Sequence, residues 1–311
     1  MSINPLENQR STQSIVYAVI VSYNPNLSKL AGLLESLASQ VQGVVLVDNG
    51  SSETVVTWLF NKRFCLPFLV LPLGENLGIA RAQNEGIRVA QESGASHIIL
   101  FDQDSIPASD MVDKLIAAAQ HQVAQGTKVG GVGPNYLDSR QANPPPFIKV
   151  SGLKIHRQLC TTPDTVVEVD YLIASGCLIP MATIDEVGGM REDFFIDYVD
   201  IEWGLRAKVK GFQSFGVCGA IMAHDLGDEP IKFLGKRYPL HSPLRHYYHF
   251  RNAVWMYRQS WLPFQWRLTD GLRLILKFGF YTLFAKPRSR HLGMMIKGVL
   301  HGLSGRMGRL N

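Results

Sequence analysis

The stretch His97-Ile98-Ile99-Leu100-Phe101-Asp102-Gln103-Asp104-Ser105 decides how this sequence is read. A short apolar run of this kind suits a buried strand, and it ends in two carboxylates one residue apart. A solvated acidic turn is the bland reading. A metal site is the chemical one: a D-x-D at a strand end suits Mg²⁺ or Mn²⁺, which take a few carboxylates together with diphosphate oxygens and water. What the neighbouring segments bring to the same edge decides between them.

Outward from that strand, apolar runs alternate with helical patterns. Residues 15–22, 44–47, 68–71, 97–101 and 129–132 read as strands. Between them, 27–40, 53–60, 79–92 and 111–125 read as helices, the first with Leu30, Leu33, Leu34, Leu37 and Val41 at helical spacing. This order predicts an α/β fold, a mostly parallel sheet with right-handed crossovers and helices on both faces. In such sheets ligands bind beyond the carboxyl ends of the strands. Ser22-Tyr23-Asn24-Pro25, Asp48-Asn49-Gly50-Ser51, Gly74-Glu75-Asn76 and Asp102-Gln103-Asp104 all fall at that edge. Turn chemistry explains any one of them. Four together predict a nucleotide-sized site.

Further along, 135–146 reads as a connection, 146–154 and 166–179 as β-like, and 201–210 as a helix. Residues 1–14 are expected as a flexible N-terminus. Residues 15–240 form the main domain, with a nucleotide half (15–135) and an acceptor half (136–240), and 241–311 form a basic, aromatic-rich helical segment. Within that segment, 261–285 carries Leu272, Ile275, Leu276, Gly279, Phe280 and Leu283 on one side, interrupted by Arg273 and Lys277. That pattern suits an interfacial helix better than a spanning one.

The net charge of +5 conceals an asymmetry. Residues 1–230 hold 16 Lys/Arg against 25 Asp/Glu, a balance of −9, whereas 231–311 hold 15 against Asp270 alone, a balance of +14. Such a tail predicts an anionic membrane surface as partner; no RRM, KH or helix-turn-helix pattern accompanies it, so nucleic acid is not expected. Four scattered cysteines without a CxxC pair predict neither a zinc site nor a disulfide framework, and a cytoplasmic setting, at the inner membrane face, is expected.

A second acidic cluster lies in Phe194–Arg206. Asp200 and Glu202 open a predicted helix, where capping competes with a role as general base. His224 follows another apolar run and is a candidate to complete a metal shell.

Taken in order, "VIVSYNP", "VLVDNGS", "GENLGIARAQNEGI", "FDQDS", "FFIDYVDIEWGLR" and "MAHDLG" resemble the family 2 inverting glycosyltransferases of the GT-A fold, closest to bacterial rhamnosyltransferases that use dTDP-L-rhamnose in O-antigen and lipopolysaccharide synthesis. The resemblance implies that Ser22, Tyr23, Asn24, Asp48, Asn76, Gly78 and Arg81 bind the donor nucleotide and diphosphate. It implies that Asp102 faces ribose and metal and that Asp104 and His224 ligate Mg²⁺ or Mn²⁺. Asp200 takes the place of the base, with Val199 where the family has Glu, which leaves Asp197 open as its rival. Asp197, Glu202 and Trp203 are implied at the acceptor, which the tail suggests is lipid-linked, and Arg251 at the donor phosphate. A transferase of the same fold using a UDP-hexose, and a non-catalytic sugar-nucleotide-binding protein, remain alternatives. A processive synthase lacks its QxxRW signature here, and a nucleotidyltransferase its Gly-rich phosphate loop.

Overall fold

The structure is a computed structural model that describes residues 14–60, 66–137, 147–152, 154–224, 231–233, 236–238 and 240–310. Its first half runs β1 (Val16–Ser22), α1 (Leu27–Leu37), β2 (Gly43–Asp48), α2 (Glu53–Phe60), β3 (Phe68–Pro72), α3 (Ile79–Glu92), β4 (His97–Asp102), β5 (Ser105–Pro107), α4 (Met111–Ala124) and β6 (Val129–Leu137). Then come β7 (Phe147–Ser151), β8 (Lys154–Gln158), β9 (Val166–Val169), β10 (Leu178–Pro180), α5 (Met181–Val187), α6 (Val199–Val209) and β11 (Gln213–His224). Three helices follow: α7 (Pro243–Tyr257), α8 (Phe264–Phe284) and α9 (Arg288–Ser304).

The main sheet has the order β3-β2-β1-β4-β10-β6-β11-β5, with β9 along β11. Strands β1 to β4 are parallel, as their apolar runs and intervening helices predict. The alternation within β1 sends Val16, Ala18 and Ile20 to one core, with Leu30 and Leu33 of α1 and Leu115 of α4. Val19 and Val21 go to the opposite core with Ala82 and Ile87 of α3. Both faces of the sheet are therefore covered.

Antiparallel pairs interrupt the parallel order at β5 and β9, each along β11, and at β10. Three residues of β10 lie antiparallel between β4 and β6, Leu178 pairing with both Ile99 and Val132. So short a strand carries no periodicity, and the 166–179 segment read as one β stretch is two strands with a loop between them.

The C-terminal helices join the same core as the α3 face of the sheet: Phe250, Met256, Leu274, Tyr281 and Met295 are buried within it. Helices α7 and α9 cross closely at two glycines. A Cβ at Gly298 would lie 2.4 Å from the Tyr247 carbonyl oxygen, and one at Gly302 would lie 2.6 Å from that of Arg251. Helix α8 leaves Leu272 (56% exposed), Ile275 (69%), Leu276 (73%) and Leu283 (59%) to solvent, as an interfacial pattern predicts. Among the described residues no helix is long and apolar enough to cross a membrane.

The cysteine reading needs correction. Cys160, beyond β8, is disulfide-bonded to Cys218 on β11, their Cα atoms 5.4 Å apart, while Cys177 is a free, buried thiol. A pair 58 residues apart has no local spacing signature, so only the fold brings it together. With it goes the cysteine argument for a reducing setting.

Candidate active site

The strand order reverses between β1 and β4, and the polar loops meet there. Side chains stitch them together. Gln103 accepts the Tyr23 backbone N–H at 2.8 Å, which holds the end of β1 against the end of β4. Ser51 accepts the Asn24 N–H at 2.8 Å and donates its own backbone N–H to Asp48 at 3.2 Å. The Asn49 amide donates to Asn76 Oδ1 at 3.2 Å and accepts from the Leu77 N–H at 2.8 Å; Asn76 Oδ1 also takes the Gly78 N–H at 3.0 Å. Ser22 and Asp48 are buried at this edge, and among the described residues the Ser22 hydroxyl has no partner. Buried hydroxyls are normally bonded, so this orphan marks a place for a ligand group. Gly78 sits at φ 89°, and a Cβ there would strike the Phe195 carbonyl oxygen at 2.6 Å. Arg81 is exposed on the first turn of α3, with no bonded partner among the described residues.

The D-x-D lies at the same edge. Asp102 is partly exposed, and its N–H bonds Ser175 Oγ at 3.1 Å. The Asp104 carboxylate has no hydrogen-bond or ion-pair partner among the described residues. His224 ends β11 with its backbone opposite Ser105, one residue from Asp104; its side chain lies outside the described set. Among the described residues no three His, Cys, Asp or Glu side chains converge on a metal position. The D-x-D offers two hard carboxylates at this edge. It suits an ion that fills its shell with diphosphate and water and does not suit an all-protein cage.

Facing this edge is the loop before α6. Phe195, Asp197 and Tyr198 hold φ values of 66°, 64° and 66°, a left-handed backbone that bulky side chains rarely adopt and that costs about 1–3 kcal/mol at each. Neighbouring groups fix it. The buried Asn252 amide nitrogen lies 3.1, 2.9 and 2.8 Å from the carbonyl oxygens of Phe194, Ile196 and Asp197. The Ile79 N–H donates to the Phe195 carbonyl at 2.7 Å, tying this loop to the start of α3. Tyr198 donates to Asp270 at 2.8 Å, and Tyr257 to the same oxygen at 2.7 Å.

That loop delivers Asp200. Its Oδ1 accepts the Ile201 N–H at 2.9 Å, and it borders a cavity of about 20 Å³ with Leu100, Cys177 and Trp203. Burial pushes its carboxyl up to about 6, against the lowering effect of the backbone bonds, and the charges of Asp197 and Asp102 push the same way. Asp102 and Asp200 thus feel each other: the fold brings the D-x-D and the second acidic cluster to one site. The rival, Asp197, is held by Arg245 at 2.7 and 3.3 Å, and a paired carboxylate is poorly placed to take a proton.

Three residues are placed against their expected roles. Arg251 is fully buried, its guanidinium donating to the carbonyl oxygens of Asp193 (2.9 Å), Phe194 (2.8 Å) and Gly308 and to Asn252. It braces the loop and reaches no donor phosphate. Glu202 is 2% exposed, with both oxygens at 2.9 Å from Arg206, so it faces the interior and not an acceptor. Trp203 is also buried and donates its indole N–H to the Gly188 carbonyl at 2.8 Å, so it reaches an acceptor only as wall beneath Asp200. Sequence reasoning missed Asn252, Arg245 and Asp270. The adjacency of Asn252 to Arg251 and the isolation of Asp270 among cations were the available signals.

The chain is matched by known proteins. A family model for glycosyl transferase family 2 matches residues 17–172. The chain is 35% identical to a protein named dTDP-rhamnosyl transferase RfbF of Shigella flexneri, over 94% of this chain and 95% of that one. Among solved structures, S. aureus TarS with UDP-GlcNAc superposes with a TM-score of 0.60 at 16% identity, covering 93% of this chain and 81% of that one. GalNAc-T7 with UDP, GalNAc and Mn²⁺ gives 0.56 at 13% identity, covering 88% of this chain and 58% of that one. At such identities these two speak for the shared GT-A fold alone.

Proposed function

The chain belongs to glycosyl transferase family 2, and on that premise we propose that it transfers L-rhamnose, with inversion, from dTDP-L-rhamnose to a hydroxyl of a lipid-linked glycan in cell-surface polysaccharide synthesis. The observation that carries the reaction is Asp200: a half-buried carboxyl at the start of α6, raised to about 6 by burial and by the charges of Asp197 and Asp102. The extensive identity to a named dTDP-rhamnosyl transferase supports the donor.

In this reading Ser22, Asp48 and Asn76 bind the nucleotide, with the orphan Ser22 hydroxyl as one contact, and Arg81 meets the diphosphate. Asp200 takes the proton of the attacking hydroxyl as the bond from its oxygen to the anomeric carbon forms and the bond to the diphosphate oxygen breaks. dTDP leaves and the proton stays on Asp200. Asp102 and Asp104, with His224, would hold Mg²⁺ or Mn²⁺, and such an ion would supply positive charge against the departing diphosphate. An anionic membrane surface meets the exposed apolar side of α8, and the exposed cations Arg288, Arg290 and Lys297 of α9 add attraction to it.

A donor screen tests the reading. With a lipid-linked acceptor and Mg²⁺ or Mn²⁺, dTDP-L-rhamnose is expected to support transfer at least tenfold faster than UDP- or GDP-sugars. Faster transfer from a UDP-hexose moves the assignment to another donor. Binding without turnover for every donor leaves a sugar-nucleotide-binding protein.

A further inference from the structure

A groove of about 470 Å³ opens between the C-terminal helices, walled by Val254 and Tyr257 of α7, Leu268, Leu272 and Phe278 of α8, and Val299 of α9. Its lining is hydrocarbon except at Tyr257 and Arg267. Leu268, Leu272 and Ile275, 39%, 56% and 69% exposed, form a lip continuous with the bare side of α8. Arg267 rests over the ring of Phe264 at 5.9 Å. Among the described residues it has no ion pair, and its Nε is buried without a hydrogen-bond partner.

A concave apolar channel with an uncompensated cation in its wall suits one kind of molecule, an amphiphile with a hydrocarbon chain and an anionic head. The wall is also connected to the chemistry. Tyr257 shares the Asp270 carboxylate with Tyr198, and Tyr198 stands two residues before Asp200. We infer that this groove seats the hydrocarbon chain of the lipid phosphate that carries the acceptor sugar, with Arg267 on its phosphate. The inference rests on the acceptor being lipid-linked. It goes further in giving the chain its own seat on the protein, apart from any flat contact between α8 and a bilayer.

Binding alone tests it, with the full-length protein and farnesyl phosphate below its micelle concentration as probe, read by calorimetry. Wild type is expected to bind farnesyl phosphate and to ignore ethyl phosphate. A Cβ at Gly271 comes no nearer than 3.9 Å to Tyr257, so Gly271→Ala fits and should bind as wild type does. Gly271→Leu grows a side chain into the groove and should weaken binding at least tenfold. Arg267→Gln should bring the affinity for farnesyl phosphate down to that for farnesol. Unchanged binding by Gly271→Leu, a retained preference for the phosphate in Arg267→Gln, or binding to phosphatidylglycerol vesicles with none to monomeric farnesyl phosphate would each overturn the inference. No donor or transfer enters the measurement, so a failed donor screen and a failed groove give different results.

Discussion

Asp200 is destabilising where it is useful. A carboxyl whose folded value lies above its ordinary one binds a proton more tightly in the fold, so its contribution to stability is present at low pH and lost as pH rises through about 6. At pH 7.5 it is ionised, fit to accept a proton and unfavourably buried. Asp200→Asn keeps an acceptor for the Ile201 N–H and removes the charge. Thermal melts at that pH should show the variant more stable than wild type, by on the order of 2 kcal/mol. Asn252 works at second hand, by holding three carbonyls of the left-handed loop. Asn252→Asp replaces donors with an oxygen facing those carbonyls. Steady-state kinetics should show kcat falling about 100-fold, as small misplacements of a reacting group can cause, with the donor KM within about twofold of wild type. The places of Asp102 at a strand end and of Asp200 at a helix start were legible in the sequence, because the apolar runs and helical spacing around them fix those ends. The role of Arg251 was not, since an arginine inside an aromatic helix reads alike whether it meets a phosphate or a carbonyl.

At the scale of elements, the alternating strands and helices to α4 were legible because the central strands are continuous apolar runs buried on both faces, while helices such as α1 bury one periodic face. The antiparallel β10 and the disulfide were not, because both are long-range pairings without a local period. The α7–α9 crossing is another tertiary fact, set by the close approach at Gly298 and Gly302. Gly302→Val drives a branched side chain into α7 and should lower the denaturant midpoint, by about 1–3 kcal/mol of stability. The same helices enclose His246, whose Nδ1 lies 3.0 Å from that of His291. Burial, then His291, His241, Arg245 and Lys277, hold His246 down to about 3. The unfolded chain takes up that proton near the ordinary histidine value, so stability falls as pH drops below about 6.5. Replacing the ring by His246→Phe should flatten the decline between pH 6.5 and 5 in urea titrations.

For the whole molecule, the contrast between an acidic first part and a basic tail suggests a detachable anchor, yet the tail is built into the catalytic half. The Gly308 N–H bonds the Asp193 carbonyl at 2.8 Å, and Arg309 pairs with Glu75 at 3.1 Å, beside the donor loop. Removing 286–311 would therefore strip α9 from α7 and unsettle the base loop as well as any membrane contact. Surface substitutions separate the two. Leu276→Glu with Leu283→Glu, both exposed and outside the groove, should abolish sedimentation with phosphatidylglycerol vesicles while transfer to a soluble short-chain acceptor stays within about twofold of wild type.

The most direct test is the pH dependence of kcat for rhamnosyl transfer by wild type and by Asp200→Asn. The account predicts a wild-type rate that rises with pH to a plateau, with its acid limb near 6, where Asp200 loses its proton. It predicts that Asp200→Asn binds donor and turns over at least 1000-fold more slowly across the range. An Asp200→Asn enzyme that keeps a near-normal rate and the same acid limb would contradict it.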